Sequence, residues 1–360
     1  MYGLSSTQLQ LLYDGARKWF SISNFFIGPF TFFVDAPFGR FTPEKGSIFH
    51  GVLLVDGIKS WIVMELVSPT MFLYTFLNAP LSNGVRPSVS LGSPLSLLIG
   101  AYLIHYLNRA ILSPLRTPSR SKAHIITPAF AVAFNTFNGS LLGAFFSSPN
   151  APQASAFSRV SFWIGMAMWF WGFVGNVVHD EILLDLRRKA KSKGKGKETN
   201  GYSNGHSNGT SNGYSNGNSN GHSNGHSNGH SNGHSNGHSN GRANGTSSTG
   251  EHYAIPYGLL YRYISYPNYF CEWVEWLGFA IAADPRILAV VVSGLRADTW
   301  KTALTGPSAS FFPLLSPPWI FFFSELVLMY PRAYRGHQWY LNKFGDSYPK
   351  ERRIVIPFLH

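Results

Sequence analysis

Three polar residues stand where an aromatic-rich apolar run gives way to a dense basic one: Asn176, Asp180 and Arg187, within GFVGNVVHDEILLDLRRK (172–189). Steps of four and seven return a helix near its starting direction, so an amide, a carboxylate and a guanidinium share one face. At a membrane surface that face can line a cavity. Glu65 lies in the middle of another apolar segment, one turn after Trp61. Ionisable groups at such depth are costly and rare, which makes Glu65 a candidate partner for a bound polar group; the alternative is a protonated acid bonded to a nearby backbone carbonyl. Asn268 and Glu272 stack on one side of a later segment, with Glu275 three residues on. Tyr106 follows His105 near the end of a third apolar segment, where an interface aromatic is the common alternative. Amides, carboxylates, a tyrosine and arginines near several helix ends suit a polar, phosphate-bearing cofactor held beside an apolar substrate.

The surrounding chain has to supply a membrane. Of 360 residues, 44% are hydrophobic, 16% aromatic and only 13% charged, and that charged share is about half the usual value for a soluble protein. The formal charge of +12 invites a nucleic-acid partner, but seven of the 29 Lys and Arg residues lie between Arg187 and Lys197. Directly after a spanning helix, such a run is a topology signal and a contact for anionic lipid. No stacking platform or groove-entering helix accompanies it, so nucleic acid is excluded as partner. A single cysteine, Cys271, rules out an internal disulfide framework.

The fold class is therefore all-α, a polytopic membrane protein with about seven spans. They are expected at Trp19–Val34 (short, and carrying Pro29), Ile48–Leu77, Leu95–Leu112, Ile125–Phe146, Val160–Leu186, Tyr253–Ala283 and Pro318–Tyr330 onward. Residues 36–46 form a polar loop, and 285–317 read as a short apolar run followed by a Gly/Pro-rich connection. Residues 189–251 are a different material: Ser-Asn-Gly-His tetrads with almost no apolar residues cannot offset chain entropy and are expected to be a disordered insert. The chain thus divides into a membrane domain (1–188), the insert, and a C-terminal part (252–360) with the last two spans. Basic loops put the insert and the C-terminus in the cytosol.

Several chemistries lack their signatures. There is no GxGxxG, GxxxxGK[ST] or HExxH, the GxSxG spacing occurs only inside the low-complexity tetrads, where no strand-to-helix pattern makes it a nucleophile elbow, and the histidines outside the insert are too scattered for a metal centre.

In its motifs the chain resembles the steroid 5-alpha-reductase family. They are PFGRFT (37–42), WIVMEL (61–66), HYLNRAILSPL (105–115), FNTFNGSLLGAF (134–145), GNVVHDEILLDLRRK (175–189), YAIPYGLLYRYISYPNYFCEWVEW (253–276) and RAYRGHQWYLNKFGDSYPKERRIVIPF (332–358). The resemblance implies a seven-span reductase of the endoplasmic reticulum membrane. Such enzymes use NADPH to saturate a carbon–carbon double bond conjugated to a carbonyl. It implies that Glu65 and Tyr106 hold the substrate carbonyl, where hydride attack on the β carbon builds enolate charge that a tyrosine hydroxyl stabilises; Glu65, protonated there, donates a second bond. By the same resemblance Asn176, Asp180, Arg187, Tyr253, Asn268, Glu272, Arg332 and Tyr340 contact the cofactor, with Asn138 and Arg109 as weaker candidates. Gly336 replaces a side chain that contacts cofactor in some members, so His337 or Arg335 is expected to compensate.

The substrate class implied is a 3-oxo-4-ene steroid or sterol. Alternatives within the superfamily are a trans-2-enoyl-CoA or a polyprenal. Alternatives of another class are an S-adenosylmethionine-dependent methyltransferase and a non-catalytic lipid-binding protein.

Overall fold

Local signals start most of the helices. Ser5 and Gln8 form a reciprocal cap for α1 (Ser6–Phe30), and the Asp56 carboxylate accepts from the Ile58 and Lys59 amides to open α2 (Gly57–Asn78). Ser93 followed by Pro94 opens α3 (Pro94–Tyr106), as Ser and Pro are expected to do at these positions. A computed structural model describes residues 3–33, 53–83, 85, 87–152, 154–207 and 253–359. The expected polar loop at 36–46 lies outside the described residues.

The remaining elements are α4 (Ser113–Arg116), α5 (Ile126–Phe146), α6 (Val160–Ser207), α7 (Pro267–Ala283), α8 (Ile287–Gly294), α9 (Ala297–Thr305) and α10 (Pro317–Phe344). Each of the seven expected spans falls on one long helix: α1, α2, α3, α5, α6, α7 and α10. Four of them are long and apolar enough to cross a membrane on composition alone, and a fifth is added by α7 with α8, a pair bent by 103° at Asp284-Pro285. The other two, α1 and α10, are long but more polar, and α1 buries Asp14, Arg17, Lys18 and Asn24.

Close backbone approach sets the two tightest helix pairs. In the α6–α7 pair, a Cβ on Gly165 would stand 2.5 Å from the Gly278 carbonyl oxygen, and the converse holds for Gly278. In the α2–α5 pair, Gly139 and Gly143 lie against the α2 backbone at Ser68 and Phe72. Small residues at crossings let helices meet where no hydrophobic effect drives them together. Between the pairs lies an aromatic core that includes Phe72, Tyr102, Tyr106, Phe146, Trp276, Phe279 and Trp319.

Two features differ from the sequence expectation. Residues 285–317, read as an irregular connection, contain α8 and α9. The end of α9 and the loop after it are tied to α1: Lys18 Nζ donates to the carbonyls of Leu304 and Gly306, and Arg17 to those of Phe312 and Leu315. The backbone of α6 also continues past the expected boundary at Arg188 to Ser207; Lys189, Ala190 and Lys191, good helix formers, favour the first turn of that extension. The rest of the expected insert, residues 208–251, lies outside the described residues.

Candidate functional site

The helix carrying Tyr106 widens immediately after it. Residues Leu107–Leu112 form a π-helical stretch that runs up to Ser113-Pro114. A proline ring clashes with the carbonyl four residues back, and widening the helix relieves it. The result projects Asn108 and Arg109 into a cavity of about 330 Å³ between the ends of α2, α3, α6, α7 and α10, within the range of small-molecule sites.

Six of the nine expected cofactor residues line this cavity: Asn176, Asp180, Arg187, Asn268, Arg332 and Tyr340. The Asn268 amide donates to Asp180 Oδ1 at 3.0 Å, joining α7 to α6. The other three are not among the lining residues. Glu272 is buried and bonded to Arg109 at 3.3 Å. His337 shares a hydrogen bond with the Ser265 hydroxyl at 2.6 Å, and Ser265 also meets the Tyr348 hydroxyl at 2.7 Å. Tyr253 packs edge-on against Trp339. Arg335 donates to the Phe32 carbonyl. Neither His337 nor Arg335 therefore occupies the cavity on behalf of Gly336.

The two residues expected to hold the substrate carbonyl lie deeper, away from the cavity lining. Glu65 is 3.5 Å from Arg109 Nε. The Tyr106 ring is buried against Tyr102, with ring centroids 4.9 Å apart. Around them, Ser68 and Tyr102 hydroxyls meet at 2.7 Å, Asn138 donates to Ser68, and Asn135 donates to the Met64 carbonyl. Asn138 thus belongs to the Tyr106 surroundings rather than to the cavity wall. Arg109 connects the two regions: it lines the cavity and bonds both Glu65 and Glu272.

Sequence reasoning missed Arg120. Its guanidinium lies over the Trp61 ring at 3.7 Å and lines the cavity. A two-residue antiparallel ladder, β1 (Leu54–Val55) with β2 (Ala123–His124), ties its loop to the start of α2. Burial, then the Arg187 and Arg109 cations, push the Arg120 guanidinium down to about 9. Neither Arg120 nor Arg187 has a carboxylate ion-pair partner among the described residues, whereas Arg188, next in the chain, is bonded to Glu181 and Asp185 at 2.6 Å. Two lining arginines without acidic partners leave a surplus of donors suited to phosphate oxygens. Asp180 with Asn268 suits sugar hydroxyls or a carboxamide. The donor set fits a phosphorylated dinucleotide. His105 was also missed as a lining residue; its ring is fixed by Glu275 at 2.7 Å and by Trp276.

A family model described as 3-oxo-5-alpha-steroid 4-dehydrogenase matches residues 121–202, 237–292 and 310–360. Among similar proteins is an uncharacterized protein of Schizosaccharomyces pombe, 33% identical over 97% of this chain and 100% of its own length. The rat protein 3-oxo-5-alpha-steroid 4-dehydrogenase 1 is 27% identical over 91% of this chain and 87% of its own. A steroid 5-alpha-reductase of Solanum lycopersicum is 27% identical over 91% and 89% respectively.

Proposed function

The chain belongs to the 3-oxo-5-alpha-steroid 4-dehydrogenase family, and from that premise we propose that it reduces lipophilic α,β-unsaturated carbonyls with NADPH. The substrate class is a 3-oxo-4-ene steroid or sterol. Family membership makes it an oxidoreductase acting on a CH–CH group; the substrate, the cofactor and the roles below are our reading. The enzyme works in the endoplasmic reticulum membrane with its cavity open to the cytosol, where basic loops belong.

The supporting observation is Arg109, which lines the arginine-rich cavity and bonds Glu65 and Glu272 beside a buried, hydrogen-bonded cluster that includes Ser68, Tyr102 and Asn138. Arg187 and Arg120 hold phosphate oxygens, and Asp180 and Asn268 bond ribose hydroxyls or the carboxamide. When bound, NADPH would supply a hydride to the β carbon, and a proton taken up from solvent at the α carbon would complete the saturation. At the far end of Arg109, the Tyr106 hydroxyl donates to the substrate carbonyl as charge builds on that oxygen. The protein dipoles there are already fixed and no water competes, which is where such a donor acts most strongly. Glu65, anchored by Arg109, completes the polar wall of the carbonyl site. The aromatic core around Tyr102 and Trp276 supplies the apolar wall a steroid needs.

The test uses the purified full chain in lipid nanodiscs with NADPH and progesterone, following NADPH consumption and steroid mass. NADPH oxidation with a saturated product is expected. Turnover of trans-2-enoyl-CoA or polyprenal but not steroid would move the substrate class, and no turnover with any of the three would overturn the reductase reading.

A further inference from the structure

Gly336 has ordinary helical backbone inside α10, yet it admits no side chain: a Cβ there would overlap the Tyr266 hydroxyl oxygen. The phenol of Tyr266 therefore crosses from the start of α7 and rests its oxygen against the α10 backbone. Its own backbone is fixed, because the Tyr266 amide donates to the Ile354 carbonyl at 3.1 Å, and its ring packs on Tyr269. Tyr266 lines the cavity together with Ser265, Asn268, Arg332 and Tyr340.

Both residues of this contact are poor local choices. Tyr266 occupies the N-cap position of α7 and makes no side-chain cap, where Ser, Thr, Asp or Asn would stabilise the helix. A glycine within α10 weakens that helix relative to alanine. Two residues that break local rules and touch each other at a cavity wall mark a functional constraint rather than a packing convenience.

We propose that Tyr266 is a cofactor-binding residue. Its hydroxyl donates to a phosphate or ribose oxygen of the dinucleotide, and Gly336 is small in order to admit it. The donor comes from α7 across a glycine on α10, so α10 needs no side chain of its own at 336. This rests on the NADPH reading above and deepens it.

The experiment measures NADPH affinity by fluorescence titration and NADP⁺-induced thermal shift on the full chain in nanodiscs, independent of turnover. Tyr266→Phe keeps the ring and removes only the oxygen; the expected result is an affinity loss of about tenfold, the scale of one hydrogen bond to a charged acceptor. Gly336→Ala displaces the phenol and weakens binding similarly in the native background. In a Tyr266→Gly background, Gly336→Ala should cost nothing further. Asp180→Ala is measured in parallel. NADPH binding weakened by Asp180→Ala but unchanged by Tyr266→Phe would overturn this proposal alone. A native protein that binds no NADPH would overturn the reading beneath it.

Discussion

The α2–α5 and α6–α7 pairs are built alike and used differently. Both close on glycines, and both carry amides and carboxylates at depths where such groups are expensive. Along α2 and α5 the polar groups bond protein: Asn135 to the Met64 carbonyl, Asn138 to Ser68, and Ser68 to Tyr102 on α3. Along α6, after Gly175, polar residues face a cavity, and Arg187 has no carboxylate partner among the described residues. A satisfied network holds one geometry, whereas a surplus of donors waits for a ligand. In the function proposed, the first pair would set the position of a reacting carbonyl and the second would bind the cofactor.

The comparison breaks first at the glycines. Gly278→Leu should leave no folded protein by size-exclusion chromatography in detergent, because its side chain would enter the Gly165 and Trp169 backbone. A monodisperse, active variant would mean that the helices are not held at this distance. Next come the residues of the carbonyl site. Tyr106→Phe should lower turnover at least about tenfold, as loss of an oxyanion donor does, while NADPH affinity stays within about twofold by titration; Glu65→Gln should lower turnover by a similar factor because it removes the carboxylate that anchors Arg109. Wild-type turnover in both would make the pair structural. Asp180→Ala should weaken NADPH binding by roughly tenfold, with a smaller effect on turnover at saturating cofactor. An unchanged Kd would remove the α6 face from the site. The smallest effect belongs to the tetrad tract. Deleting Gly201–Gly250 should leave turnover within about twofold, because a segment without apolar residues contributes no core; loss of folded enzyme would show that the tract does more than connect.

What the sequence reveals here depends on how local each signal is. Seven apolar segments mark the seven long helices, and spacing alone puts Asn176, Asp180 and Arg187 on one wall. The connection 285–317 shows the opposite case. The end of α9 and the loop after it are held by donors from Lys18 and Arg17, nearly three hundred residues earlier in the chain, and no local pattern announces such a partner. Arg120 escaped for a related reason: it sits in a polar loop whose position depends on a two-residue ladder to the start of α2. The ion pair of Glu65 with Arg109 joins α2 to a widened turn after α3, and sequence spacing within one helix has nothing to say about it. Gly336 was visible as an oddity, but its explanation, Tyr266, required the crossing of two helices.

Arg109 carries a consequence beyond holding two carboxylates. One guanidinium spans both compartments, so any reorientation imposed by the occupant of one is felt in the other. Linkage then requires the effect to be equal in both directions: if cofactor tightens substrate by some factor, substrate tightens cofactor by the same factor. The two ligands are not independent tenants. Titrating either one at stepwise concentrations of the other reads this exchange directly, and Arg109 is the residue at which it should be cut.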